Sequence, residues 1–546
     1  MYYRIALISP FPLSPDDPAW NVYEELRCAG HAVEIIDPQR FPCILNPDGS
    51  LNEPAFELFR STFKPHCVAL GSESARDILA ACHTACENGL PAMERPAKRF
   101  LVFGYLGKDN FGDEFVFSLI LREIRKRWPE AVVTAIGQDP QATFARHGVT
   151  SIEPDMKFEM DILMNGAAAL VFMAGVVFDA PCFDWTAGKT ELFLNPYSEI
   201  PGQVSCVQLA WMHGAPTIYL GIGAGPLANP DAQALMRLAG LCRPLFAARD
   251  AETANLLEKA GIDSGLIKQT ADVSLMLAKE RDAFVRPAQC PRIVVALRDF
   301  PSVDEDFPRR VASALDECIE RHGISPLFLD FEPDDRAIHQ RTADAMRHGK
   351  EAAFETARTD REVRALIGSA NIVLATRLHG SIIANAFGIP SVGFDYNEKV
   401  RSHYKLMGHE ELLCPLDASS DHMVKALDLA FDQRDSLSQR LQSRTDQLAH
   451  NSLQNFELLA DMVESHEAHP KPQRLYDKHL TREAYELAAC RAELETARAL
   501  CQEAQAAVEK LQNENAELRE STAWKVGRAL TALPRAVKDA REQQPR

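Results

Sequence analysis

The sequence predicts an α/β protein of parallel sheets covered by helices on both faces, followed by a helical tail. Three observations carry that class. Short runs rich in Val, Ile, Leu and Phe recur from Arg99 to about residue 435, each followed by a helix-capable stretch. Apolar strands alternating with helices mark sheets buried on both sides. With 546 residues the chain exceeds what one hydrophobic core holds, so several domains are expected. Beyond residue 435 only helical periodicity remains.

Composition narrows the function classes. Hydrophobic residues make up 46% and charged residues 25%, the balance of a globular protein. A formal net charge of −18 repels nucleic acid and anionic lipid from the molecule as a whole. An anionic substrate must then be drawn in by a local basic site. The 13 cysteines are scattered without a Cys-x-x-Cys pair. Cys82 and Cys86 flank His83 at helical spacing, but two thiols and one imidazole on one turn make a poor metal site. They read as small apolar residues in a reducing compartment, and no metal is expected. "MYYRIALISPFPL" has no cationic stretch followed by an unbroken apolar run, and no window reaches the roughly 18 apolar residues of a spanning helix. The expected location is the cytoplasm.

Residues 1–95 read as a small α/β unit. "YRIALIS", "AVEIID" and "CVALG" are strands, and "AWNVYEELRCAGH" is a helix ending at a glycine. "LPAMERPAKR" (90–99) has the two prolines of a linker. "RFLVFGY" then opens the main alternation, followed by "AVVTAIG", "ALVFMAG", "TIYLGIG", "LFAARD", "RIVVALR", "SPLFLDF", "NIVLAT" and "SVGFDY". The halves of that alternation are expected at 99–270 and 271–435, with a helical connector at 436–480. A coiled coil is read at 481–520 and a basic tail at 521–546. Between 487 and 518, Leu487, Leu494, Cys501, Val508 and Asn515 fall seven apart, with Cys490, Ala497, Ala504, Leu511 and Leu518 three residues after each. A lone Asn in the first series with Leu in the second favours a parallel homodimer. A single helix packed on its own domain is the alternative.

In parallel sheets, ligands collect at the carboxyl ends of strands, where helix N-termini present free N–H groups. "GYLGKDNFGDEF" places Gly104, Gly107 and Gly112 after a strand, with Asn110 and Asp113 as polar contacts and helix cap. The spacing matches neither dinucleotide nor P-loop patterns, and a structural turn is the competing reading. Arg249 ends "LFAAR" and Arg298 follows "IVVAL". "LATRLHGSIIANAFG" then puts Arg377 and His379 between a buried strand and a helix read as starting near Ser381, with Ile382, Ile383, Ala386 and Phe387 on its buried side. A guanidinium at the positive end of a helix suits a carboxylate or phosphate. The dipole disfavours the imidazolium there, and a bound dianion would restore it as an acid.

The segment "TRLHGSIIANAFGIPSVGFDYNEKVRSHYKLMG" (376–408) resembles the C-terminal signature of polysaccharide pyruvyl transferases. "GYLGKDNFGDEFVF" resembles their N-terminal Asn-x-Gly-Asp turn. "PTIYLGIGAGPL", "AARDAETANLLEKAG" and "TADVSLML" fall between them in the family's order, so the likeness spans about residues 99–410. It implies two Rossmann-like domains in a glycosyltransferase-B-like arrangement, with the site in the cleft. It also implies transfer of the pyruvyl group of phosphoenolpyruvate to two sugar hydroxyls, giving a ketal and free phosphate without a cofactor. By position, Arg377 and Arg249 would hold the donor and His379 would protonate its methylene carbon. Asn110, Gly112 and Asp113 would face the cleft from the other domain. Lys399 and Arg401 are weaker anion contacts, with a solvated charge cluster as the alternative. The chain departs from the family's Gly-Gly-Gly turn, reading "FMAGVVFD" with only Gly175 kept.

The tail "ENAELRESTAWKVGRALTALPRAVK" resembles the coiled-coil and basic ending of bacterial surface-polysaccharide glycosyltransferases. Trp524, Leu530 and Leu533 with Lys525, Arg528, Arg535 and Lys538 make residues 521–538 an amphipathic basic segment suited to the inner membrane face or a partner enzyme. A solvated end of the coil is the alternative. The expectation is therefore a cytoplasmic enzyme that pyruvylates a sugar or a lipid-linked glycan for the cell surface. Its rivals are a glycosyltransferase of the same fold using a nucleotide-sugar, and a non-catalytic dimeric scaffold.

Overall fold

The structure is a computed structural model. It describes residues 1–10, 17–38, 44–46, 50–108, 110–154, 156–173, 176–177, 199–285, 291–299, 303–356 and 359–468, and in the tail residues 498, 505, 510, 522 and 525–528. Residues 1–473 form one compact unit and 474–546 a second. The heptad positions of the coiled-coil reading at 487–518, most of the basic segment 521–538, and Gly175 lie outside the described residues.

The first unit contains three wholly parallel sheets. The small sheet has the order β2-β1-β3, from β1 (Arg4–Ile8), β2 (Ala32–Ile36) and β3 (Cys67–Leu70). Residues 1–95 do not stand apart from the domain after them. The Arg99 guanidinium donates to the Val33 carbonyl and the Thr134 hydroxyl, both at 2.9 Å, and Phe144 shares a core with Ile36, Phe56 and Phe59. Within the expected linker, Met93 is buried and bridges to Tyr2, so the segment is fastened to the small sheet.

The second sheet comprises β4 (Arg99–Phe103), β5 (Val132–Ile136), β6 (Thr150–Ile152), β7 (Ala169–Phe172), β8 (Val176–Val177), β9 (Thr217–Ala224), β10 (Leu245–Ala248) and β11 (Ile267–Gln269). Its order is β11-β10-β9-β7-β4-β5-β6, with β8 beside β9. The third comprises β12 (Arg292–Ala296), β13 (Ser325–Asp330), β14 (Ala353–Thr356), β15 (Ile372–Ala375), β16 (Ser391–Asp395) and β17 (Leu413–Pro415). Its order is β14-β13-β12-β15-β16-β17. In both large sheets the winding reverses beside the first strand, between β4 and β7 and between β12 and β15. These are the doubly wound, Rossmann-like orders, and each reversal opens a crevice at the carboxyl ends of the strands.

Every strand read from the main alternation is present. The strands not read (β6, β8, β11, β14 and β17) are two to four residues long, and the edge strands β11 and β14 are mostly exposed. Such pieces are too short and too mixed to show a hydrophobic period.

The two large domains share one continuous apolar core that reaches into the helix Arg434–Ala468. This helix runs back along the segment that joins the two large domains and, at Thr270, reaches the first of them. Ser452 donates to the Val273 carbonyl (3.0 Å), Asn455 to the Ala271 carbonyl (2.9 Å), and Thr270 to the Asn455 amide oxygen (2.9 Å). The described part of the expected connector is thus a clasp across both domains. Two doubly wound domains joined this way form the glycosyltransferase-B-like arrangement. Among the described residues no helix is long and apolar enough to cross a membrane.

Candidate active site

Both reversal crevices are lined by strand ends, and they meet. From β4 the chain turns into the helix Phe111–Arg127, which Asn110 caps by accepting from the Gly112 N–H (3.2 Å). The Asn110 amide also donates to Asp113 (2.5 Å), setting that carboxyl in the first turn. Gly107 adopts φ +81°, a conformation L side chains avoid. Its N–H is held by buried Glu114 (2.7 Å), which His147 holds in turn (2.6 Å).

On the opposite side β15 ends at Ala375, and the Thr376 hydroxyl accepts from the Arg298 N–H (2.6 Å), tying the ends of β15 and β12. The next helix is Leu378–Ala386. It begins before the expected Ser381, so Arg377 is its N-cap and His379 its second residue. It is also buried on all sides rather than one. Its polar residues enter an internal network: Asn385 bonds His403 (2.9 Å), His409 (3.3 Å) and Ser391 (3.1 Å), while the Tyr404 hydroxyl joins Ser381 (3.1 Å) and Ser391 (3.0 Å). Satisfied in this way, buried polar groups hold an element in one orientation.

Gly112 and His379 meet across the two domains. A Cβ on Gly112 would come within 2.1 Å of the His379 Nδ1. Beside them the Phe111 and Phe331 rings meet edge-on at 4.8 Å. Burial pushes the His379 pKa down to about 4. Asp272 opposes that shift, while Lys399, Arg249 and Arg377 add to it. The imidazole is therefore neutral at neutral pH, in the field of three cations. Asp113 moves the other way, raised to about 7 by burial; Lys399 and the Asn110 bond pull it down, and Glu114 and Glu332 push it up. A carboxyl titrating near neutrality beside a neutral imidazole can exchange protons with a substrate in both directions.

Arg249, at the end of β10, lies over Gly223, where a Cβ would come within 2.7 Å of the guanidinium. It pairs with Asp272 (3.4 Å) and Asp250 (3.5 Å). Arg377 is buried and its guanidinium carries two carboxylates. Asp335 takes the Nε–Nη2 edge (3.1 and 2.5 Å) and Glu332 the Nη1–Nη2 edge (2.9 and 2.6 Å). Arg298 is exposed at the rim, where its charge acts on Tyr396, whose phenol burial raises.

The structure therefore groups Arg377, His379, Arg249, Asn110, Gly112 and Asp113, and leaves Arg298 at the mouth. Lys399 and Arg401 separate. Lys399 acts on both Asp113 and His379, whereas Arg401 is taken up by Asp395 and Glu398 (both 3.0 Å). Four residues escaped the sequence reading: Asp272, Glu332, Asp335 and His403, the last lining a cavity with Arg249, Asp272 and Lys399. Glu332 and Asp335 stand just after β13 in "FEPDD". Weighing the acids as well as the cations at every strand end would have found them.

The chain matches the family model described as polysaccharide pyruvyl transferase over residues 110–398. No curated protein matches it. Among solved structures it is similar to a Listeria monocytogenes protein described as a UDP-N-acetylglucosamine 2-epimerase (9% identity, TM-score 0.49, covering 69% of this chain and 98% of that one). It is also similar to the UDP-GlcNAc 2-epimerase of Neisseria meningitidis bound to UDP-GlcNAc (10%, 0.46, 67% and 100%), and to Anabaena HepE in complex with UDP (14%, 0.43, 67% and 100%). The family match starts at Asn110, the cap of one crevice helix, runs through Arg377 and His379 of the other, and takes in just over half of the sequence. On that match, the chain belongs to the polysaccharide pyruvyl transferase family, a family of transferases.

Proposed function

We propose that the chain transfers the pyruvyl group of phosphoenolpyruvate to two hydroxyls of a sugar, free or in a lipid-linked glycan, forming a ketal and releasing phosphate. The observation that carries this reading is His379, a neutral imidazole within the field of Arg249, Lys399 and Arg377. A trianionic donor among those cations removes their effect on the ring and raises its pKa. The imidazolium gives its proton to the methylene carbon of the donor, leaving positive charge at the adjacent carbon. One sugar hydroxyl adds there and loses its proton to Asp113. The bond to the phosphate oxygen breaks with its electron pair, phosphate leaves carrying the proton from Asp113, and the second hydroxyl closes the ring, giving its proton to the His379 imidazole. No cofactor and no nucleic acid take part. The reaction belongs to the cytoplasm or the inner membrane face, with residues 521–538 as the docking segment.

The test is calorimetric titration of phosphoenolpyruvate with an assay for released phosphate. The wild-type chain is expected to bind the donor, and Arg249→Ala to bind it at least about tenfold more weakly. His379→Ala should bind it while turnover falls by about two to four orders of magnitude, the usual range for a lost general acid. A wild-type chain that ignores phosphoenolpyruvate and releases nucleoside diphosphate from a nucleotide-sugar is a glycosyltransferase instead. One that binds the donor and never turns it over with any acceptor is a scaffold.

A further inference from the structure

The two carboxylates on Arg377 are not equivalent. Asp335 is fixed: its side chain is 1% exposed, and its Oδ2 also accepts from the N–H groups of Phe331 and Glu332, both at 3.1 Å. Glu332 has a 17% exposed side chain, and among the described residues its carboxylate makes hydrogen bonds only to Arg377. Its charge also acts on Asp113 and helps to raise that carboxyl. One edge of the guanidinium is thus built into the protein. The other holds a planar pair of oxygens on a longer, partly exposed arm, in the geometry a substrate carboxylate would use.

We propose that Glu332 is an exchangeable ligand of Arg377. The carboxylate of the donor takes the Nη1–Nη2 edge, and Glu332 swings aside toward the cleft. This rests on the reading of the donor given above and names the group through which Arg377 recognises it. Donor affinity is then set by competition with an intramolecular carboxylate. Asp335 keeps the guanidinium aimed throughout, so Arg377 stays at the helix N-terminus in both arrangements. An anion lacking two coplanar oxygens displaces Glu332 poorly, which makes the pair a filter for donor shape.

Two variants separate exchange from the electrostatic effect of removing a charge. Glu332→Gln removes the charge. Glu332→Asp keeps the charge and shortens the arm by one methylene, so the carboxylate no longer spans both nitrogens. Calorimetric titration of phosphoenolpyruvate, and separately of oxalate as a planar probe independent of the donor, is expected to show at least tenfold tighter binding to both variants than to wild type. Thermal melts should confirm that both remain folded. Asp335→Asn, by contrast, should lower the melting midpoint without any gain in affinity. A gain with Glu332→Gln alone reduces the effect to the field of the charge and overturns the exchange. Unchanged or weaker binding in both variants overturns it too, and assigns Glu332 to holding Arg377 in place. If oxalate binds more tightly to both variants while phosphoenolpyruvate binds to none of the proteins, the exchange stands and the donor assignment falls. If phosphoenolpyruvate binds all three alike, the donor assignment stands and the exchange falls.

Discussion

Gly112 owes its place to the side chain it lacks. It is the second residue of its helix, so alanine there meets no backbone penalty and even gains helix propensity. The added methyl would clash with the edge of the His379 ring, 2.1 Å from Nδ1, and an overpacked contact of that kind costs about 1–3 kcal/mol unless a neighbour moves. The movable neighbour is the imidazole itself. Gly112→Ala is therefore expected to melt within a few degrees of wild type while phosphate release falls at least tenfold, because the ring is displaced from the cations around it. Wild-type turnover in a folded Gly112→Ala chain would show that His379 needs no fixed position. At this scale the sequence reading was half complete. Two functional groups in a short turn marked Arg377 and His379 without any knowledge of their surroundings. The acids that load Arg377 lie 42 and 45 residues away in sequence, and only folding brings them to it.

Among the elements, β2 carries the most testable oddity. Glu34 sits in the middle of this fully buried strand, 3.5 Å from the Thr150 hydroxyl where the small sheet meets the second one. Burial raises its pKa to about 7, against the pull of Arg99 and Thr150. The folded pKa lies above the unfolded one of about 4.5, so folding favours the neutral carboxyl. Its contribution is complete below about pH 4.5 and is lost as pH rises to about 7. Glu34→Gln stays neutral throughout. Its stability advantage over wild type should open across that window and reach at most about 3 kcal/mol at pH 8, read from denaturant unfolding at pH 5 and pH 8. Equal advantage at both pH values would mean that Glu34 is ionised in the folded chain. The charged residue was visible within "AVEIID", yet a strand buried on both faces was not, since Arg99, Phe144 and Thr150, which help to cover it, come from the next domain. The helix Leu378–Ala386 repeats the lesson. Its polar Ser381 and Asn385 argue for an exposed face, and the partners that bury them come from the chain after residue 390.

For the whole molecule, the helix Arg434–Ala468 divides what the fold needs from what it does not. Its buried Leu441, Leu448, Phe456, Leu459 and Val463 belong to the main core, and its Ser452 and Asn455 satisfy carbonyls of the segment between β11 and β12. A chain ended after Gln473 is expected to keep the melting midpoint of the full chain within a few degrees and to bind the donor unchanged. A chain ended after Gln433 should be insoluble, because it bares the apolar surface that this helix covers. Sedimentation of the full chain beside the Gln473 truncation also tests the parallel homodimer proposed for residues 487–518: a dimer that becomes a monomer supports it, and two monomers remove it. Taken alone, the sequence determined the α/β class, the main strands and the two catalytic candidates at the carboxyl end of β15. Hydrophobic period and turn chemistry are local properties, readable within a dozen residues. Only the tertiary structure decided that the two crevices face each other, that Gly112 makes room for His379, and that Arg377 is already shared between two carboxylates, one of them fixed. Charge pairing, burial and steric room are set by neighbours in space, and here those neighbours come from different domains.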